Sequence, residues 1–146
     1  MEKLGYKKEN VYQLEVNDKG EYIEFDLLDI DLPNKILNAY KELEKAEKDI
    51  KIKEQIIYKK YNNNPTKKWE EIHKLEKDFF KKGRETFDSF LGEGACQKIF
   101  GSIDRYGMFQ DLLEALQPHL EKMKFDMQEI KKSLLTKYSP NKKNVI

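Results

Sequence analysis

Phe87-Asp88-Ser89-Phe90-Leu91-Gly92-Glu93-Gly94-Ala95-Cys96-Gln97-Lys98-Ile99-Phe100-Gly101 is where this chain stops looking like generic charged helix. An apolar helix end, Phe87 to Leu91, runs into Gly92 and Gly94. Residues 93–100 then read as a short helix, and Gly101 closes it. Glycine accepts backbone conformations that other residues avoid. On this reading Gly92 ends one helix, Gly94 lets the next approach closely, and the pair sets a sharp corner.

Upstream of the corner lies a helix with the stripe Trp69, Ile72, Leu75, Phe79, Phe80, Phe87, Phe90 and Leu91. Asn62-Asn63-Asn64-Pro65-Thr66 breaks the chain before it. A preceding helix carries Ile36, Tyr40, Leu43, Ile50 and Ile57, with Pro33 in its first turn and Asp31 nearby as N-cap. The two long helices should form an antiparallel hairpin. Downstream, Asp104 is expected to cap a last helix whose apolar face includes Met108, Phe109, Leu112, Leu116, Met123, Met127 and Ile130. Pro118 should kink that helix or start a new one.

Before the helices, Val11 to Val16 and Glu21 to Leu27 are rich in β-branched and aromatic residues around Asn17-Asp18-Lys19-Gly20, a β-hairpin signal. Leu14, Val16, Ile23, Phe25 and Leu27 would form its apolar face. The expected fold is mainly α, a long helical hairpin plus C-terminal helices with an N-terminal β-hairpin. The hairpin covers about 11–27 and the helices about 33–61, 67–91, 94–100 and 104–138. One domain spans 1–138, and 139–146 is expected to be a flexible tail.

The 146 residues are 38% hydrophobic and 38% charged, a balance that favours two-faced helices over a thick core. Net charge is +1, so no global field steers the chain to nucleic acid or to an anionic membrane. Residues 41–82 hold 13 basic and 9 acidic residues, many three or four apart with opposite sign, as on a solvated helix. The lone Cys96 fits a reducing compartment. The N-terminus lacks the apolar run of a signal peptide, and no window approaches the roughly 20 apolar residues of a membrane span.

No catalytic constellation is legible. His73 and His119 lack a Cys or a second His at metal spacing. Gly92-Glu93-Gly94 lacks both the third glycine and the preceding strand of a dinucleotide loop. Asp26, Asp29 and Asp31 are spaced loosely like a calcium loop but lack its glycine and its closing glutamate. The lysine pairs are interleaved with acids, so nucleic-acid binding is not expected. The predicted chain is no enzyme and needs no cofactor or metal.

Three stretches together resemble a family of small proteins from phages and prophages of Gram-positive bacteria. They are Glu24-Phe25-Asp26-Leu27-Leu28-Asp29, Phe87-Asp88-Ser89-Phe90-Leu91-Gly92-Glu93-Gly94 followed by Lys98-Ile99-Phe100-Gly101, and the helix from Met108 to Met123. Where that family usually has Thr or Ser after Gly-Glu-Gly, this chain has Ala95. Such proteins look like the tail assembly chaperones of long-tailed phages. The resemblance implies a helical protein that coats the tape measure protein, recruits major tail protein and leaves before the tail is finished. It implies action in the host bacterial cytoplasm, absence from the finished virion, and in many members a longer frameshifted form. A homo-oligomer is compatible with it.

On that reading Phe87, Phe90, Leu91, Gly92, Gly94, Ile99, Phe100 and Gly101 form the structured corner. Met108, Leu112, Met123 and Met127 are contact candidates, because methionine gives an adaptable lining. The competing reading of the same composition is a small phage-encoded inhibitor or adaptor that binds a host protein.

Overall fold

The computed structural model describes residues 1–6 and 9–137. Two strands, β1 (Val11–Glu15) and β2 (Tyr22–Asp26), precede four helices. These are α1 (Leu32–Lys60), α2 (Pro65–Leu91), α3 (Ala95–Phe100) and α4 (Met108–Lys137). The fold is mainly helical with an N-terminal antiparallel β-hairpin, as the sequence led us to expect. The predicted tail lies outside the described residues.

The hairpin pairs Leu14 with Ile23 and Tyr12 with Phe25. Alternation then puts Ile23, Phe25 and Leu27 on one face, where all three are buried, with Leu14 and Val16 half-buried beside them. Asn17 organises the turn. Its Oδ1 accepts from the Lys19 and Glu21 amides at 2.9 and 3.3 Å, and Gly20 takes φ +77°. Asn17 Nδ2 also donates to the Lys98 carbonyl at 3.0 Å, which pins the hairpin to the end of α3.

The three aspartates between β2 and α1 act locally. Asp26 and Asp29 each accept the backbone N–H two residues on, from Leu28 at 3.0 Å and from Asp31 at 2.9 Å. These turns replace the expected cap. Asp31 stands at the N-cap of α1 but makes no side-chain cap bond. Asn64 does cap α2, accepting from the Lys67 amide at 3.1 Å, with Pro65 in the first turn.

Helix α4 begins at Met108, later than expected. Gly107 has φ +80°, off the helical path, so the helix cannot extend back to Asp104. Asp104 instead receives a hydrogen bond from Arg84. Pro118 lies inside α4 and starts no new helix. Tyr40 on α1 donates to Gln117 on α4 at 3.1 Å, and Gln110 on α4 bonds Glu47 on α1. The two pairs share one residue-number sum, so α4 runs antiparallel to α1.

Phe109 locks α4 onto α2. It stacks on Phe87 with centroids 5.1 Å apart and planes 11° apart, and meets Phe100 edge-on at 5.8 Å. Phe79 and Phe80 close the cluster at 6.2 and 5.7 Å. The ring reaches this position only because residue 83 has no side chain. A Cβ on Gly83 would fall 2.4 Å from Phe109 Cε2 and 2.5 Å from Cζ. Gly83→Ala normally gains about 1 kcal/mol of helix propensity. Here overpacking should cost about 1–3 kcal/mol and prevail. The expected result is a lower midpoint in chemical denaturation; a higher one would mean that α4 does not seat against α2.

Candidate functional site

The Gly92 corner is built by α2 reaching forward. In the last turn of α2, the Asp88 carbonyl accepts the Gly92 amide at 3.0 Å. Its carboxylate Oδ1 accepts the Cys96 amide at 2.8 Å. One residue thereby ends α2 and caps α3, whose own N-cap, Gly94, has no side chain to offer. Gly92 sits at φ +114°, ψ 154° and Gly94 at φ +75°, ψ 4°. A Cβ at Gly94 would meet nothing within 4 Å, so the expected close approach is corrected. Gly94 is needed for its left-handed backbone, and the close-approach glycine is Gly83.

Arg84 holds the other side of the corner. Its Nε donates to Asp104 at 2.8 Å, Nη1 to the Gly101 carbonyl at 2.9 Å and Nη2 to the Ile103 carbonyl at 3.3 Å. The guanidinium also lies over the Phe100 ring at 5.8 Å. This planar fork fixes the α3–α4 connection, which a point charge could not do. Sequence reasoning missed Gly83, Arg84, Asp88 and Asp104 in these roles. The legible signal was Gly83 itself, an isolated glycine inside a helical pattern.

Phe87, Phe90 and Leu91 of the expected corner are buried, and Ile99 and Phe100 are half-buried against the core. Cys96 is buried beside them. Desolvation, reinforced by its contact with Asp88, pushes its thiol up to about 12. His73 is exposed, and His119 Nδ1 hydrogen-bonds the Tyr12 hydroxyl at 2.9 Å. Among the described residues no cluster of three His, Cys, Asp or Glu could hold a metal ion.

The contact candidates on α4 need correcting. Met108 and Met123 are buried at 6% and 1% exposure within their own chain, because Phe109 seats α4 on the core. Leu112 and Met127 are half-buried against that core. Trp69, expected in the α2 stripe, is 72% exposed. Open apolar side chains are found on two helical arms, as well as at Ile30 and Tyr106. The tip of the α1–α2 hairpin exposes Ile52, Ile56, Tyr58 and Trp69, and the end of α4 exposes Phe125 and Leu135. At the tip, Lys68 Nζ sits 5.4 Å above the Tyr58 ring.

These features define a small helical protein with a rigid glycine corner and charged arms carrying open apolar side chains. The chain belongs to a family of unknown function, DUF6673, which matches residues 19–144. No curated protein and no solved structure matches it. Among the described residues no helix is long and apolar enough to cross a membrane.

The two corner glycines should differ when replaced. The Gly92 conformation is open essentially to glycine alone, whereas Gly94 is left-handed and tolerates Asn. Gly94→Ala should cost about 1–2 kcal/mol and Gly94→Asn less, with Gly92→Ala the most harmful in thermal melts. Equal melts for all three would show that the corner is not held in these conformations.

Cys96 sets an alkaline limit. Its folded value lies above the ordinary 9.0, so the fold favours the neutral thiol. Its contribution is complete below pH 9 and declines as pH rises towards 12, because the unfolded thiol ionises first. Cys96→Ala should lose less stability than the parent between about pH 8 and about pH 10, read from denaturation midpoints. An identical loss in both proteins would remove Cys96 as a cause.

Proposed function

We propose that this chain is a tail assembly chaperone of long-tailed phages, which sheathes the tape measure protein and helps recruit major tail protein. The support is the three-stretch resemblance together with the surface of the arms. The observation that carries the reading is the set of open apolar side chains at Ile52, Ile56, Trp69, Phe125 and Leu135, each with a charged residue within four positions.

A tape measure is a very long amphipathic helix, and its exposed stripe aggregates unless covered. Two arms with thin apolar contacts can cover such a stripe by helix-in-groove packing. Burying each contact stabilises the complex by about 25 cal/mol per Å² of apolar surface, and ordering the partners offsets much of that. The charged flanks, such as Lys51 and Lys53 beside Ile52 and Lys124 and Asp126 beside Phe125, keep the sheathed client soluble. Modest net affinity lets the chaperone leave when tube subunits arrive. On this reading it acts in the host cytoplasm and is absent from the finished virion.

The test is affinity capture of the tagged chain from phage-producing cells, with bound proteins identified by mass spectrometry. Tape measure or major tail protein should be recovered, and Trp69→Ala with Ile56→Ser should reduce recovery while the circular dichroism stays unchanged. Recovery of one host protein and no tail component would overturn the reading in favour of a host-directed adaptor.

A further inference from the structure

The two-stranded sheet has an unused edge, and it opens into a cleft. Val16 donates its amide to the Glu21 carbonyl at 2.9 Å, and Leu27 donates to that of Asn10 at 3.1 Å. With the observed register, these bonds make Leu14–Ile23 and Tyr12–Phe25 the hydrogen-bonded pairs of the ladder. The N–H and C=O groups of Tyr22 and Glu24 therefore point away from β1. Among the described residues they have no backbone partner.

Alongside this edge runs a cleft of about 510 Å³. Consecutive residues Gly20 to Glu24 line one wall, and no β1 residue does, so the cleft follows the outer edge of β2 and not one of its faces. The opposite wall is the corner at Leu91, Gly92, Glu93 and Ala95. Glycine at position 92 leaves that wall open, since nothing lies within 4 Å of where its Cβ would be. Three acidic residues, Glu21, Glu24 and Glu93, and one lysine, Lys98, line the cleft; Glu21 accepts from Asn17 and Glu24 from Gln13, so Glu93 carries the carboxylate not held within the hairpin.

We propose that this cleft binds an extended basic segment of a partner protein, which adds to β2 as a third strand. The free groups of Tyr22 and Glu24 supply main-chain hydrogen bonds, the mode by which exposed strand edges capture peptides. Glu24, on the same face of β2 as Tyr22, and Glu93 across the cleft favour lysine or arginine on the incoming strand. Tyr22, half-exposed, offers its ring to the stem of such a side chain. This assigns a role to Glu93, the exposed charge of the Gly-Glu-Gly motif. The inference is independent of the tail reading, because it fixes the chemistry of the segment and not the identity of its owner.

The probe is a capped hexapeptide of alternating valine and lysine, titrated into the ¹⁵N-labelled full chain. The Tyr22 and Glu24 amides should shift and exchange more slowly with solvent. A valine–glutamate hexapeptide, and a valine–lysine peptide N-methylated on its pairing edge, should leave both amides unmoved. Glu24→Lys with Glu93→Lys should weaken binding about tenfold while the rest of the spectrum keeps its dispersion. Equal shifts from the N-methylated peptide, or shifts confined to Gln13 and Glu15 on the β1 edge, would overturn strand addition at β2. Concentration-dependent shifts of the same two amides without peptide would overturn the partner assignment and give the cleft to a second copy of this chain.

Discussion

Everything distinctive about this molecule depends on one ring entering one gap. Phe109 fills the space where residue 83 lacks a side chain, and four other phenylalanines close around it. Because the ring sits there, α4 is seated on the core, and Met108 and Met123 are drawn inside. The same ring touches Phe100 of α3, so the corner cannot move without disturbing the seat of α4. Arg84, next in sequence to the gap, then ties down the chain between α3 and α4. Two adjacent residues of α2 thus place both later helices.

The corner is stiff for complementary reasons. Its glycines take conformations that disfavour other residues, which by itself would leave a flexible joint. Asp88 removes that freedom by bonding across the joint with both its carbonyl and its carboxylate. Asn17 adds a bond from the hairpin to the carbonyl of Lys98 at the far end of α3. A helix of only six residues is marginal alone, and here it is bonded at both ends.

Local rules recovered what local forces decide. The hairpin was legible because two runs of β-branched and aromatic residues flank an Asn-to-Gly turn, and the α1–α2 break because Asn64 and Pro65 are start signals. Residues whose roles depend on distant partners were not legible. Trp69 fits the helical stripe by spacing, yet no buried residue of α1 lies beyond Leu43 to pack against the tip. The start of α4 was misplaced because Asp104 looks like an N-cap, and only the fold reveals that Arg84 has taken it. Periodicity gave the apolar face of α4 as far as Ile130, but it also places Leu135 there, which is 56% exposed, and it cannot distinguish core from groove, so two of the four contact candidates are buried.

The net charge of +1 also conceals an arrangement that only the fold exposes. Residues 21–31 hold five acids and no base, and residues 55–69 hold four lysines and no acid. α1 joins these segments, and its 29 residues put them about 43 Å apart. That separation is several Debye lengths at physiological salt, so neither pole cancels the field of the other. A partner approaching either end meets a local excess of one sign, although Lys35 pairs with Asp29 at one end and Glu71 with Lys67 at the other. The basic pole carries Tyr58 and Trp69, and the acidic pole carries the open edge of β2. Charge and apolar exposure coincide at both ends, which is the combination that steers an encounter and then holds it. The cleft beside β2 therefore lies where a basic segment would be drawn before any strand contact forms.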